Sequence, residues 1–357
     1  MKIEKPYFDV GVYCITYNQS LYILDTLNGF CIQQTKTPFI CAIFDDVSSD
    51  GEQEVIRKYL IDNFDECDHS LSIDKETNDY ELLFVRHKKN QNCYFAVFFL
   101  KYNHFSIKKQ RLPYLLDLVD VKYVAECEGD DYWIDPLKLQ KQFDALETHP
   151  ECTIAFCKVK NVSRKGTDLK STKPGDYLKT GIVTIDDFLK YQYGKGRWVF
   201  QTSGYFYRIR KDLQECYNSD LYRQFPYGDE PFVIWCLLKG KGYYIDDIGS
   251  CYRVQAGGYV SRVKNNSNFA INQENKIIKA LLFLDDYTQF KYHQYIDNRI
   301  LFARFYIEYY KGHYFSLYNP RFFKILRCFS LKTIAIINLR FLCPPLYRKL
   351  RKERLSH

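Results

Sequence analysis

Over the first 160 residues, short apolar runs alternate with stretches whose apolar positions recur at helical spacing. The runs predict strands over 8–15, 39–44, 81–86, 123–127 and 153–159. Between them the spacing predicts helices over 21–33, 52–64, 107–119, which Pro113 should disturb, and 137–147. Strands alternating with helices read as βαβ units, so an α/β fold with an open, mostly parallel sheet flanked by helices is expected. Residues 161–195 are polar, include Lys173-Pro174-Gly175, and read as a long loop or small excursion. Order returns with a strand over 198–207, a helix over 232–239 closed by Gly240 as C-cap, and a strand over 242–245. After Arg262 the chain turns helical and aromatic, which divides it into an α/β domain over 1–262 and a helical C-terminal region over 263–357.

The chain is 46% hydrophobic, enough for a packed enzyme core. The net charge of +8 is concentrated: from Arg321 to Arg354 there are ten Lys/Arg and one acid, Glu353, so the body is about neutral. A neutral body lacks the electrostatic footprint of a nucleic-acid binder, and no nucleic-acid partner is expected. Thirteen cysteines lie scattered in apolar runs without a CxxC pair, the usage of a reduced cytoplasmic protein. The seven histidines show no zinc-ligand spacing. The N-terminus carries Glu4 and Asp9 and develops no secretory apolar region. No uncharged run approaches the roughly 18 residues of a spanning helix.

Ligands of an open α/β sheet bind outside the carboxyl ends of its strands. Three of the predicted ends are informative: Thr16-Tyr17-Asn18, the run DDVSSDG from Asp45 to Gly51, and EGDDYW from Glu128 to Trp133. Part of this has a structural reading. Ser49 with Glu52 forms a capping box, and Asp135 before Pro136 is an N-cap with Pro at the first helical position. Asp45, Asp46, Asp130 and Asp131 are left without a structural role. Adjacent carboxylates repel unless a cation lies between them, and such hard oxygen donors suit Mg²⁺ or Mn²⁺ bridging a diphosphate. The chain has neither a P-loop nor G-x-G-x-x-G after the first strand, so metal would neutralise a nucleotide's phosphates. An EF-hand is excluded because its spacing fails in DDVSSDG.

TYNQS, DDVSSDG, EGDDYW-x-DP-x-KL-x-KQ, GDE and YRVQAGGYVS occur in the order and rough spacing of glycosyltransferase family 2, and the chain resembles its bacterial polysaccharide-assembling members over about residues 8–262. The resemblance implies a GT-A fold, a nucleoside-diphosphate-sugar donor, Mn²⁺ or Mg²⁺, and inversion at the anomeric carbon. By the same resemblance, Thr16 and Tyr17 lie at the nucleotide, with Tyr17 stacked on the base. Asp45 and Asp46 would hydrogen-bond base or ribose, Asp131 would bind the metal, and Asp130 would lie at the ribose or metal. Asp229, or next Glu230, would be the catalytic base. The chain departs from the pattern at Gln255, where many relatives carry histidine, and in KKNQNCYFAVFFLKYNH, which lacks the usual small residues and leaves donor contacts there, including any from Arg86, open. Rival readings are a sugar nucleotidyltransferase, which would want a basic Gly-rich loop that TYNQS is not, and a catalytically inactive GT-A-like module at the membrane.

In the tail, Phe322, Ile325, Leu326, Phe329 and Ile336 recur on one helical face, with Arg321, Lys324 and Arg327 towards the other, and the chain ends in Arg348, Lys349, Arg351, Lys352 and Arg354. This basic amphipathic pattern predicts a peripheral contact with anionic lipid at the inner face of the plasma membrane, where a lipid-linked or other saccharide acceptor would be met.

Overall fold

The computed structural model describes residues 5–66, 75–169, 177–195, 199–210, 213–254, 263 and 265–347. Two compact units result. The first comprises Met1–Ile185, Trp198–Gln214 and Val233–Val254, the second Asp186–Arg197, Glu215–Phe232 and Gln255–His357. The division is therefore not a single cut after Arg262, because two segments from the α/β half of the sequence join the helical unit.

One sheet forms the first unit, with strands β1 (Tyr7–Thr16), β2 (Phe39–Asp45), β3 (Phe64–Glu66), β4 (Lys75–Glu76), β5 (Tyr80–His87), β6 (Cys93–Leu100), β7 (Asp120–Glu126), β8 (Tyr132–Trp133), β9 (Cys152–Val162), β10 (Gly181–Val183), β11 (Tyr205–Arg208) and β12 (Lys241–Arg253). Their order is β10-β12-β9-β11-β7-β1-β2-β6-β5-β3. The centre is parallel across β7, β1, β2 and β6, while β11 enters antiparallel between β7 and β9. Helices α1 (Ile23–Cys31), α2 (Glu52–Asn63), α3 (Leu112–Leu118) and α4 (Lys138–Thr148) supply covering layers. β2 is buried at every residue, as expected of a parallel strand covered on both faces, and this is why its sequence is a continuous apolar run. Phe30 of α1 packs edge-on against Trp133, with centroids 4.8 Å apart.

Several expectations are corrected by the geometry. The neighbour of β2 is β6, from the segment KKNQNCYFAVFFLKYNH, which lies outside every predicted element; the predicted third parallel strand, β5, pairs antiparallel with β6 as a hairpin. Only residues 88–92 connect them, too few for a crossover. Helix α3 starts at Leu112, with Pro113 in its first turn, where a missing N–H costs nothing. Within 161–195, β9 runs on to Val162, and β10 and a helix over Ile185–Gln192 follow; residues 173–175 lie outside the described ones. Of the strand expected over 198–207, Trp198 lies outside the described residues, Thr202–Gly204 is a 3-10 turn and only Tyr205–Arg208 is strand. Gly240 does not have left-handed φ, so it is no αL cap. Glycine is needed because a Cβ there would meet Thr153 Cγ2 at 2.6 Å and the Glu151 carbonyl at 2.9 Å.

The second unit contains helices over Ser267–Tyr287, capped by the Asn266 side chain, and His293–Lys311, closed by left-handed Gly312. Its core joins Phe302, Phe305, Leu317, Phe322, Ile325 and Ile337. The tail is thus not one amphipathic helix: Pro320–Phe322 is a 3-10 turn, Phe323–Leu326 a single α turn, and Leu331–Leu342 a helix capped by Ser330. Phe322 and Ile325 are fully buried, and Leu326 and Phe329 pack on the same cluster. The face expected to meet lipid therefore closes this unit's own core. Exposed apolar residues of the described tail include Phe315, Phe323, Leu331, Leu342 and Leu346, and the basic run over 348–354 lies outside the described residues. Among the described residues no helix is long and apolar enough to cross a membrane. Phe322→Ala is expected to cost about 3–5 kcal/mol of stability, the scale for emptying a buried aromatic site. A urea titration followed by circular dichroism checks this, and a change below about 1 kcal/mol would mean that Phe322 is not core.

Candidate active site

Because β7, β1 and β2 lie side by side and parallel, their carboxyl ends share one edge of the sheet, with Thr16 level with Asp45. The turn after β7 is held there by the Gly129 N–H, which donates to the Ile15 carbonyl at 2.9 Å. A Cβ on Gly129 would come within 2.2 Å of Thr16 Oγ1, so only glycine lets the acidic turn approach β1 this closely.

Glu52 ties the ends of β1 and β2 together. Its buried carboxylate accepts from the Thr16 hydroxyl, the Gln19 N–H at 2.8 Å and the Ser48 hydroxyl at 2.8 Å, while burial raises its pKa. The predicted capping box is absent. Left-handed Gly51 (φ 86°) occupies the cap of α2, Glu52 turns inward, and the Ser49 N–H donates to Asn18 Oδ1 at 2.8 Å. Asp135 does not cap α4 either, since that helix starts at Lys138; it accepts the Leu137 N–H at 2.9 Å and pairs with Lys141 at 2.8 Å. Asn18 (φ 54°) and Val47 (φ 66°) both adopt the left-handed region, which is costly for a β-branched residue and typical of functional loops.

The candidate nucleotide residues differ in what they have left to offer. Thr16 is buried, and its hydroxyl is committed to Glu52. Tyr17 presents a half-exposed ring. Asp45 is sealed from solvent; its Oδ1 accepts from the Ser48 N–H and the Gln53 amide, whereas Oδ2 is buried without a protein partner, and burial raises its pKa. Asp46 has a structural role that the sequence did not disclose. Its carboxylate accepts the N–H groups of His104 at 2.6 Å and Phe105 at 3.0 Å and lies 3.6 Å from Arg111.

Asp131 is 2% exposed, and its Oδ1 accepts the Arg253 N–H at 2.9 Å. Burial pushes its pKa well up, and the charges of Asp130 and Glu128 add to the shift. The Arg253 side chain, which sequence reasoning quoted without a role, braces the same turn. It donates to the carbonyls of Asp130 and Arg164, each at 2.9 Å, pairs with Asp25 at 2.7 Å, and lies between the rings of Tyr22 and Tyr132. Lys138, also missed, is buried with its ammonium 3.9 Å from the centre of the Trp133 ring and donates to Gln142 at 2.8 Å; burial lowers its pKa. The signal available for both was a cation inside an otherwise apolar or patterned run.

Among the described residues no three His, Cys, Asp or Glu side chains converge to hold a metal by themselves. The donors of the acidic turn nevertheless fit a hard divalent ion of the kind held by one or two carboxylates with substrate phosphates completing its shell.

In the second unit, Asp229 opens a helix over Asp229–Lys239, is half-buried, and accepts the Glu230 N–H at 2.9 Å. Burial, then the Glu230 charge, raises its pKa to about 6. Glu230 is buried and accepts the Tyr227 hydroxyl at 2.5 Å, beside Arg299, which pairs with Glu274 at 3.3 Å. Gln255 and residues 257–261 lie outside the described residues.

No family model matches the chain. Over 199 residues it is 32% identical to uncharacterized proteins of Mycobacterium tuberculosis and Mycobacterium bovis, covering 56% of this chain and 46% of theirs. The chain thus spans about half the length of these curated relatives. It is 21% identical over 272 residues to an uncharacterized glycosyltransferase of Methanocaldococcus jannaschii, covering 75% of this chain and 78% of that one. Residues 1–349 of S. aureus TarS in complex with UDP-GlcNAc align over 87% of this chain and 73% of that one, at 16% identity and TM-score 0.46. The mannosyltransferase PcManGT from Pyrobaculum calidifontis, in complex with GDP-Man and Mn²⁺, aligns over 98% of this chain and 84% of that one, at 12% identity and TM-score 0.51. The chain has a glycosyltransferase fold.

On that glycosyltransferase fold, Glu52 is the residue whose loss should be felt most at the shared strand ends. Glu52→Ala would strand the Thr16 and Ser48 hydroxyls and the Gln19 N–H, and is expected to cost more than about 2 kcal/mol. Chemical denaturation measures it; an unchanged midpoint would show that the loops re-pair without Glu52.

Proposed function

We propose that this chain is an inverting, metal-dependent glycosyltransferase of the family 2 type, with a GT-A domain, moving a sugar from a nucleoside-diphosphate sugar to a hydroxyl of a saccharide or lipid-linked acceptor in surface polysaccharide or glycolipid assembly. The observation that carries this reading is Asp131. Its carboxylate is withdrawn from water beside Asp130 and Glu128, at strand ends where ligands of such sheets bind, and burial, then those two charges, raises its pKa.

Tyr17 offers an exposed ring to the base, and the unpartnered Asp45 Oδ2 accepts an N–H of the base or a ribose hydroxyl. Asp131 and Asp130 would hold Mn²⁺ or Mg²⁺, which when bound would offset the negative charge of the diphosphate. Thr16 and Asp46 shape the floor, their polar atoms being engaged within the protein. Asp229 is the better base of the GDE pair, since a carboxyl with pKa about 6 is largely ionised at neutral pH and still basic enough to take a hydroxyl proton. Glu230, bonded to Tyr227 and beside Arg299, positions it. The acceptor oxygen bonds to the anomeric carbon as the diphosphate leaves from the opposite face, and Asp229 keeps the proton; one displacement inverts the centre. The exposed Phe323, Leu331 and Leu342, with the basic end of the chain, would rest on anionic lipid at the cytoplasmic face.

Asp131→Asn is expected to abolish transfer and Mn²⁺-dependent donor binding; full activity in EDTA would refute the metal. Donor and Mn²⁺ binding should strengthen as pH rises above the ordinary carboxylate range, because a proton competes for Asp131. Asp229→Asn should leave donor affinity unchanged and reduce turnover by roughly 10²–10⁴. In the wild type, turnover should fall as pH drops through about 6, where Asp229 takes up a proton. Release of nucleoside diphosphate from a nucleotide sugar separates this reading from a nucleotidyltransferase, which would instead release pyrophosphate from a nucleoside triphosphate and a sugar phosphate, and from an inactive module, which would release neither. Tyr17→Ala should weaken donor binding by roughly 1–3 kcal/mol in a calorimetric titration.

A further inference from the structure

Within the helical unit, Lys190, Lys195 and Lys324 line a cavity of about 200 Å³ together with Gly194, Tyr295 and Asn298. The cavity is built rather than incidental. A Cβ on Gly194 would meet the Lys190 carbonyl at 2.3 Å, so glycine alone permits the tight turn that ends the helix over Ile185–Gln192 and brings Lys190 and Lys195 to one rim. Lys324 arrives from the single turn Phe323–Leu326, whose Ile325 is locked into the unit's core. All three lysines are exposed, none forms an ion pair among the described residues, and no carboxylate lines the cavity.

Asn298 supplies the second requirement. It is 4% exposed, and its Nδ2 donates to the carbonyls of Tyr193 at 2.6 Å and Gly194 at 3.1 Å. Those two acceptors fix which way the amide faces, and they leave Oδ1 buried with no protein donor. A buried carbonyl oxygen without a donor is costly, whereas a ligand hydroxyl would satisfy it. Three unneutralised ammonium groups call for an anion with several oxygens; a buried acceptor oxygen on a residue of the same lining calls for a hydroxyl. The volume lies below the range of about 300–1,000 Å³ usual for drug-sized ligands, so the occupant is small.

We propose that this cavity is a binding site for the phosphoryl group of a small hydroxylated phosphoester. The lysines take the phosphate oxygens, Asn298 Oδ1 accepts from an adjacent hydroxyl, and the face of Tyr295 covers the carbon chain. A free polyol phosphate and the headgroup of phosphatidylglycerol share this chemistry. The inference does not depend on the glycosyltransferase reading.

The test is calorimetric titration of the full-length chain with glycerol 3-phosphate, inorganic phosphate and glycerol, with co-sedimentation on phosphatidylglycerol and phosphatidylcholine vesicles in parallel. Glycerol 3-phosphate is expected to bind, more tightly than inorganic phosphate, and glycerol not to bind. The exposed double variant Lys190→Ala/Lys324→Ala should keep the wild-type melting temperature and lose at least about tenfold in affinity for glycerol 3-phosphate. If only phosphatidylglycerol vesicles bind, and the double variant loses them, the phosphoester is a lipid headgroup. Equal affinity of wild type and double variant, or no binding of either phosphoester form, overturns the proposal. Nucleotide-sugar binding, measured on the same double variant, should be unchanged, so failure here and failure of the donor site register separately.

Discussion

The guanidinium of Arg253 fixes the acidic turn against the last strand of the sheet, and the geometry of the strand ends depends on that contact. Two carbonyls, one carboxylate and two aromatic faces surround a cation that is 3% exposed, while the backbone N–H of the same residue meets Asp131. A buried cation is tolerated only when so many partners replace water. The arrangement satisfies Arg253 without placing its charge on the Asp131 carboxylate itself, whose pKa burial raises.

A second buried cation works from below. Lys138 under Trp133, with Gln142 reaching the Gly204 carbonyl at 2.8 Å, shows what the segment DPLKLQKQ does for the EGDDYW turn before it. Trp133 also donates to the Ser203 carbonyl at 2.9 Å, so α4, the acidic turn and the turn before β11 are held as one block. Gly29 of α1, where a Cβ would meet the Trp133 backbone at 2.8 Å, completes it. Glu52 does the equivalent on the other side, joining the ends of β1 and β2.

Much of this was legible. β1, β2, β7 and β9 follow from runs of apolar residues, since strands covered on both faces have no polar side to display. β6 was missed although it is just as apolar, because the turn over 88–92 carries its hydrogen bonds through His87 and Asn90 side chains and gives no Gly or Pro signal. The tail's apolar spacing was real, but periodicity states that a face is covered and not by what; Phe302 and Phe305, from a preceding helix, cover it. Least legible were Glu52, Lys138 and Arg253. A charged residue reads as surface until its partners are known, and Arg253 finds Asp131 122 positions away. The acidic clusters themselves stood out, yet Asp46 could not be told from Asp45 without seeing which backbone N–H groups reached it.

The position of β12 has a consequence for how the molecule is made. It pairs with β8, β9 and β10, and its last residue is Arg253, so the sheet stays open along that side until some 250 residues have been synthesised. Chains emerge from the ribosome amino end first. The acidic turn after β7, translated far earlier, must wait on the nascent chain with its carboxylates solvated and its brace missing. It can be buried and braced only once β12 has been made.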